Sequence, residues 1–290
     1  MDAYQIDKSR VRSSFDRAAR SYDKAAILQK EVRGRMLSRL DYVSLSPHDI
    51  LDAGSGTGHA AEALAARYKG SHVIALDIAL GMLRVAAARQ PWWSRFTATR
   101  QSALCADIEN LPLAASSMDL VWSNLAIQWC NDLDRVFTGM ARVLRPEGLL
   151  MFSTFGPDTL KELRAAGMAD PNHVHVSRFI DMHDIGDALV RAGFSAPVLD
   201  VERFVLTYDD VLAVMRDLKA IGAHNATQGR RRGLEGKGFL RQLTERYERL
   251  REHGKLPATY EVVYGHAWKA EVPLNTAPDG ANVIKFHPRK

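Results

Sequence analysis

The chain has 290 residues, 46% of them hydrophobic and 25% charged, enough to bury one large core with a smaller appended lobe. Lys and Arg number 39 against 34 Asp and Glu, a formal charge of +5 that permits an acidic partner without demanding nucleic acid. No apolar run is long enough to cross a bilayer, the N-terminus carries no apolar leader, and Cys105 and Cys130 form no C-x-x-C pair, so membrane span, export, disulfide framework and zinc site are set aside and a cytoplasmic protein is expected.

From the N-terminus, Lys8 to Leu40 reads as mainly helical with a break near RSYDKAA, and residues 1–42 are expected to form a helical cap. Short β-rich runs then alternate with helical stretches: DILDA, AAEALAARY, HVIALDI, GMLRVAAARQ, ALCADI, DLVWSNL, LDRVFTGMARVL and GLLMFSTF. This alternation predicts an α/β fold whose parallel sheet is covered on both faces. Two later β-rich runs, PVLDVERFVLTY and YEVVYGHAWKA, flank a basic helical segment over about residues 209–257, expected as an insertion on the substrate side of a domain running 43–270. The polar stretch 271–290 has little periodicity and is expected to be a loosely held tail.

The turn after the first strand reads G-x-G-x-G at Gly54, Gly56 and Gly58. A dinucleotide turn reads G-x-G-x-x-G, and the place of its third glycine holds His59, so that fingerprint fails. Such a turn is expected to bring backbone N–H groups to a compact amino-acid carboxylate, while Asp52 just before it suits an ammonium group. Asp77 ends the second strand, with Ile78 beside it, where a carboxylate can accept from both hydroxyls of a ribose. After the third strand, Asp107 suits the exocyclic amine of an adenine and Ile108 its face. Any one of these acids could be an ordinary loop or cap residue; in this order they favour a single ligand.

LDAGSGTG, ALDIALGML, DIENLPLAASSMDLVWSNLAIQW and VLRPEGLLMFSTF together resemble the class I S-adenosylmethionine-dependent methyltransferases over about residues 45–156. The resemblance implies a Rossmann-like sheet of seven strands in the order 3-2-1-4-5-7-6, the seventh antiparallel. It also implies S-adenosylmethionine as cofactor, held by Asp52, Gly54, Gly56, Gly58, Asp77, Ile78, Asp107, Ile108 and Asn124 and released as S-adenosylhomocysteine. After the fourth strand the chain reads SNLAIQW rather than an N-P-P-Y turn, so methylation of a base's exocyclic amine loses ground. Asn124, Gln128 and Trp129 offer amide and indole groups near the expected sulfonium; Trp122 reads as core. His173 and His175 lack a third ligand at a telling spacing, and no metal is expected.

The flanks add SFDRAARSYDKAAILQKEV, NLAIQWCNDL, FIDMHDIGDAL and MRDLKAIGAHNATQGRRRGLEGKGFLRQL, which are similar to the malonyl-[acyl-carrier protein] O-methyltransferases of biotin synthesis over about residues 11–270. An F-x-x-A-A-x-x-Y pattern falls on Phe15, Ala18, Ala19 and Tyr22, and an R-x-L-K-x-I-G-A pattern on Arg216, Leu218, Lys219, Ile221, Gly222 and Ala223. Ser55 and Thr57 stand where related sequences often carry cysteine and proline. The likeness implies methyl transfer to the free carboxylate of a malonyl thioester on acyl carrier protein, with malonyl-CoA left open as a carrier. A carboxylate is ionised at neutral pH and needs no general base, so catalysis is expected to rest on positioning and exclusion of water. Tyr22 is expected to close over the donor and orient the acceptor oxygen, with Gln128 and Trp129 beside it. Arg178 or Arg216 could pair with the malonyl carboxylate, although a tight pair would dull the nucleophile. An acidic carrier would meet a basic cluster made of Arg17, Arg20, Arg230, Arg231, Arg232 and Lys237. Two other readings stay open. One is methylation of another small acceptor such as a quinone carbon; the other is a binding protein without turnover that uses the basic cluster on RNA, against which the lack of interleaved aromatics counts.

Overall fold

The computed structural model describes residues 4–89, 100–167, 179–223, 226–229 and 237–271. Its strands are β1 (Asp49–Ala53), β2 (His72–Asp77), β3 (Arg100–Cys105), β4 (Met118–Asn124), β5 (Leu144–Phe155), β6 (Phe194–Tyr208) and β7 (Leu256–Lys269). They form one seven-stranded sheet in the order β3-β2-β1-β4-β5-β7-β6. β1 to β5 pair in parallel, and β7 runs antiparallel to both β5 and β6. The order implied by the family likeness is therefore observed.

The helices are α1 (Lys8–Ala18), α2 (Tyr22–Ala25), α3 (Ile27–Arg39), α4 (His59–Arg67), α5 (Leu80–Arg89), α6 (Leu133–Val143), α7 (Lys161–Gly167), α8 (Met182–Arg191), α9 (Val211–Ala220) and α10 (Lys237–Glu248). Aspartates start several of them: Asp7, Asp132 and Asp210 each accept from the backbone N–H three residues on, and Asp181 from that of His183. Successive residues of β1 serve opposite faces of the sheet. Ile50 belongs to a core with Val32 and Met36 of α3, Leu64 of α4 and Trp122, whereas Leu51 belongs to one with Phe137 and Met140 of α6 and Leu189 of α8. Both faces are buried, which is why the central strands read as nearly unbroken apolar runs.

One element differs from expectation and two are made sharper. β3 stops at Cys105, and Asp107, beyond the strand, caps a short 3₁₀ turn over Ile108–Asn110. β5 starts at Leu144, ahead of GLLMFSTF, because Arg145–Gly148 forms an irregularity: Glu147 takes φ 61° and the register against β4 shifts between Met118 and Leu120. The helical segment after β6 resolves into α9 and α10. Ahead of the sheet, the expected break falls between α1 and α3, where α2 begins at Tyr22. The arm before α1 is stitched to the far side of the cleft. Ile6 bridges Thr227, the Asp7 N–H donates to Ala226 O at 2.9 Å, and the Gln228 N–H donates to Gln5 O at 2.8 Å.

Candidate active site

At the C-terminal edge of β1 the chain turns through Gly54 (φ 82°) and Gly56 (φ 54°) to Gly58 (φ 83°), which starts α4. A Cβ on Gly54 would stand 2.2 Å from the Ala126 Cβ, whereas one on Gly56 would face open space with only the Tyr22 ring, at 4.0 Å. Gly58 corrects an expectation. It lines neither cavity described below, and a Cβ there would meet that of Ala86 at 2.7 Å, so it allows α4 and α5 to approach rather than holding a ligand. The turn's N–H groups are a second correction. Those of Gly54 and Ser55 donate to Leu76 O and that of Gly56 to Asp77 Oδ2, all within 2.9 Å, so they hold the turn itself and are not free for a carboxylate.

Two cavities meet over this turn, sharing Tyr22, Gln29, Gly54, Gly56 and Asn124 as lining. One encloses about 930 Å³, open mouth included, and is lined by Asp52, Arg33, Lys30, Asp23, His59 and Arg89 among others. Asp52 is 1% exposed, and its Oδ2 has no hydrogen-bond partner among the described residues. Burial, with Asp77 nearby, pushes its pKa up to about 7 against the opposing pull of the Ala61 N–H and Arg33. Asp23 of α2 clamps the cap to the turn, accepting from Thr57 Oγ1 at 2.5 Å and lying 3.1 Å from His59 Nε2. That contact requires the hydroxyl of Thr57.

The other cavity encloses about 800 Å³, again with its mouth, and is lined by Asp77, Ile78, Asp107 and Ile108 along the strand tips. Asp77 accepts from the Gly56 and Ala79 N–H groups, each at 2.8 Å, and burial still raises its pKa to about 6. Its oxygens thus organise the loop while facing the cleft. Asp107 Oδ1 accepts from the Glu109 N–H and from Lys8 Nζ, both at 3.0 Å; Lys8 also lies 2.9 Å from Glu109 Oε2. Burial works to lower the Lys8 pKa, but the carboxylates of Glu109 and Asp107 oppose it and the net shift is upward. Burial pushes the Cys130 thiol up to about 12, so it stays protonated.

The segment after β4 closes this cavity. Asn124 donates from Nδ2 to Gln29 O at 3.2 Å and accepts from Ser153 Oγ at 3.0 Å, a clamp between α3 and β5 at the cavity junction. Gln128 donates from Nε2 to Leu125 O at 2.7 Å, leaving a buried Oε1 without a partner among the described residues. Trp129 packs edge-on against Phe15, with ring centres 5.4 Å apart, and Phe15 packs against Tyr22. Burial raises the pKa of Tyr22, which Asp77 and Asp23 reinforce, so its hydroxyl remains a donor through neutral pH. Trp122 is fully buried, as expected of core.

The structure therefore gathers Tyr22, Gln128, Trp129, Asn124, Asp52, Asp77, Ile78, Asp107, Ile108, Gly54 and Gly56 around one pair of cavities. Arg17 and Arg20 stand exposed on the cap outside them, and Arg17 donates to Ser13 Oγ at 2.7 Å; Arg216, exposed on α9, also lines neither cavity, which sets it apart from the expected pairing with the acceptor. His173, His175, Arg178, Arg230, Arg231, Arg232 and the tail from residue 272 lie outside the described residues, as does the Lys237 side chain. Lys8 and Arg33 were not anticipated. A signal for Lys8 exists in the i, i+3, i+7 stripe Lys8, Val11 and Phe15, all three lining the cleft; Arg33 follows Gln29 by one turn of α3.

A family model described as a methyltransferase domain matches residues 51–152. A malonyl-[acyl-carrier protein] O-methyltransferase of Methylovorus sp. (strain MP688) is 68% identical over 289 residues, covering 99% of this chain and 97% of the relative. The chain belongs to the malonyl-[acyl-carrier protein] O-methyltransferase family. Another member, from Gallionella capsiferriformans (strain ES-2), is 57% identical over 98% of both chains. Among solved structures, the YcgJ protein of Bacillus subtilis matches with a TM-score of 0.58 at 16% identity, covering 84% of this chain and all of that one. Phosphoethanolamine N-methyltransferase 2 of Haemonchus contortus, solved in complex with S-adenosyl-L-methionine, gives 0.52 at 17% identity over 88% of this chain and 57% of that one. These two show a shared fold, that of the class I methyltransferases.

Proposed function

We propose that the protein transfers a methyl group from S-adenosylmethionine to the free carboxylate of a malonyl thioester on acyl carrier protein. What supports this most is the extent of the likeness: at 68% identity it covers 99% of the chain, cap and insertion included, and not the sheet alone.

The cavities suit the donor. The partnerless oxygen of buried Asp52 fits an ammonium group, and Arg33 and Lys30 in the same cavity suit a carboxylate. Asp77, Ile78, Asp107 and Ile108 suit a ribose and an adenine in the other, and the shared wall is where a group joining amino acid to nucleoside must pass. Bound there, the donor would supply a sulfonium methyl for a carboxylate oxygen to attack, the O–CH3 bond forming as the S–CH3 bond breaks and S-adenosylhomocysteine leaves.

The acceptor arrives ionised, so the chain has no proton to remove. Its work is orientation and exclusion of water. Tyr22, at the junction of both cavities, offers a hydroxyl donor to the acceptor oxygen. Phe15 and Trp129 wall the same space with aromatic edges. The Gln128 carbonyl oxygen provides a buried acceptor for polarised methyl hydrogens. Esterification removes a negative charge from the chain end, which then suits the apolar pockets of fatty-acid synthesis on the way to biotin. The acidic carrier would be drawn by the basic cluster of Arg17, Arg20, Arg230, Arg231, Arg232 and Lys237.

The test is incubation with methyl-labelled donor and malonyl-acyl carrier protein, followed by mild base. Label on the carrier that base releases as methanol is the expected result. Donor binding without transfer to the carrier overturns the reading, and a parallel incubation with malonyl-CoA decides whether the carrier is required.

A further inference from the structure

α9 is apolar on two sides. Val211 and Val214 are buried in the core shared with α3 and α4, and Leu218 packs against it. Leu212 and Met215 instead remain 51% and 40% exposed, one turn apart. Positions 212, 215, 216 and 219 follow the i, i+3, i+4, i+7 spacing that places them on one side of a helix, so the two apolar side chains share that side with Arg216 and Lys219. Large apolar side chains rimmed by cations are the mark of a contact surface.

The two cations are exposed. Arg216 donates from Nε to Leu212 O at 3.2 Å and forms a loose, solvent-exposed ion pair with Asp210 at 3.9 Å, and Lys219 has no ion pair among the described residues. Neighbouring acids are occupied: Asp217 accepts from the Tyr208 hydroxyl at 2.7 Å, and Asp209 pairs with Lys255 at 2.5 Å. The helix also ends at the cleft. Ile221 and Ala223 line the cavity that holds Asp107, and Gly222 between them (φ 73°) seats so closely on the cap that an added Cβ would lie 3.1 Å from the Phe15 ring.

We infer that this side of α9 docks the acyl carrier protein through an acidic helix with an apolar centre, the acids meeting Arg216 and Lys219 and the apolar residues covering Leu212 and Met215. The inference rests on the function proposed above. Its residues are other than those of the basic cluster named above, and it places the carrier at the end of the cleft formed by Ile221 and Ala223.

Two variants test it, Leu212→Ser/Met215→Ser and Arg216→Glu/Lys219→Glu, in steady-state methyl transfer to malonyl-acyl carrier protein with saturating donor, alongside calorimetric donor affinity. Each is expected to raise KM for the carrier about tenfold or more while kcat and donor affinity stay within about twofold of wild type. A carrier whose acidic helix has Glu→Lys changes is expected to recover most of the loss with the charge-reversed variant and none with the serine variant. Unchanged KM in both variants overturns the docking inference alone, as does a parallel fall in donor affinity, which would make the face structural. A wild type that forms no ester on the carrier overturns the proposed function, and this inference with it.

Discussion

Asp52 is an acid kept in a place where its charge is costly until something positive joins it. Its pKa is raised from 3.8 to about 7, chiefly by burial. A folded pKa above the unfolded one gives stability that is complete below about pH 4 and is lost as pH rises through about 7. Asp77, raised to about 6, acts in the same direction. Asp52→Asn is therefore expected to raise the melting temperature of the ligand-free protein above about pH 7, by about 2–4 °C for each kcal/mol recovered, while weakening donor binding about tenfold or more. Wild-type donor affinity, followed by calorimetry, is expected to rise between about pH 6 and pH 8 as the carboxyl gives up its proton, and the variant should lose that slope. Gly54→Ala places a Cβ 2.2 Å from that of Ala126 at φ 82°, and a loss of about 2–4 kcal/mol in urea unfolding is expected. Much at this scale was legible: the glycines follow β1 directly, Asp52 and Asp77 stand at the ends of β1 and β2, and Asp107 comes two residues after β3. That the turn spends its own N–H groups on Leu76 and Asp77 was not, since the acceptors come from another strand.

At the scale of elements, the cap α1 to α3 supplies roof and charge to a site whose floor is the sheet. Its break was legible because RSYDKAA interrupts a helical pattern locally. Its contributions, Lys8 to Asp107 and Arg33 to the cavity of Asp52, were not legible, because partners 99 and 19 residues away are chosen by packing and not by spacing. The early start of β5 was hidden for another reason: R-P-E-G reads as a turn, and the chain accommodates it as an irregularity within the strand. Tyr22 sits at the junction of cap and cavities, which separates two roles for it. If its hydroxyl orients the acceptor, Tyr22→Phe is expected to lower kcat about tenfold to a hundredfold while donor affinity stays within about threefold. Single-turnover kinetics with pre-bound donor check this; an unchanged rate would leave Tyr22 a packing residue.

Across the whole molecule, the excess of five positive charges matters by where it lies. The proposed carrier is acidic, so kcat/KM for malonyl-acyl carrier protein is expected to fall several-fold between about 0.05 and 0.3 M salt, whereas a malonyl thioester of N-acetylcysteamine should lose far less. Equal salt slopes for the two acceptors would count against electrostatic capture. The alternating pattern predicted a covered parallel sheet directly, but the crossing of β7 between β5 and β6 came only from family likeness, because nothing local in either late strand fixes which neighbour it chooses. One long-range link has a practical side. The arm before α1 joins Thr227 and Ala226, and Asn131 grips the Ile6 backbone from both its amide oxygen and nitrogen. The arm is thus tied at once to the segment after α9 and to the turn before α6, so any detachment would free both together, and a dye placed at exposed Tyr4 would report it as an optical signal.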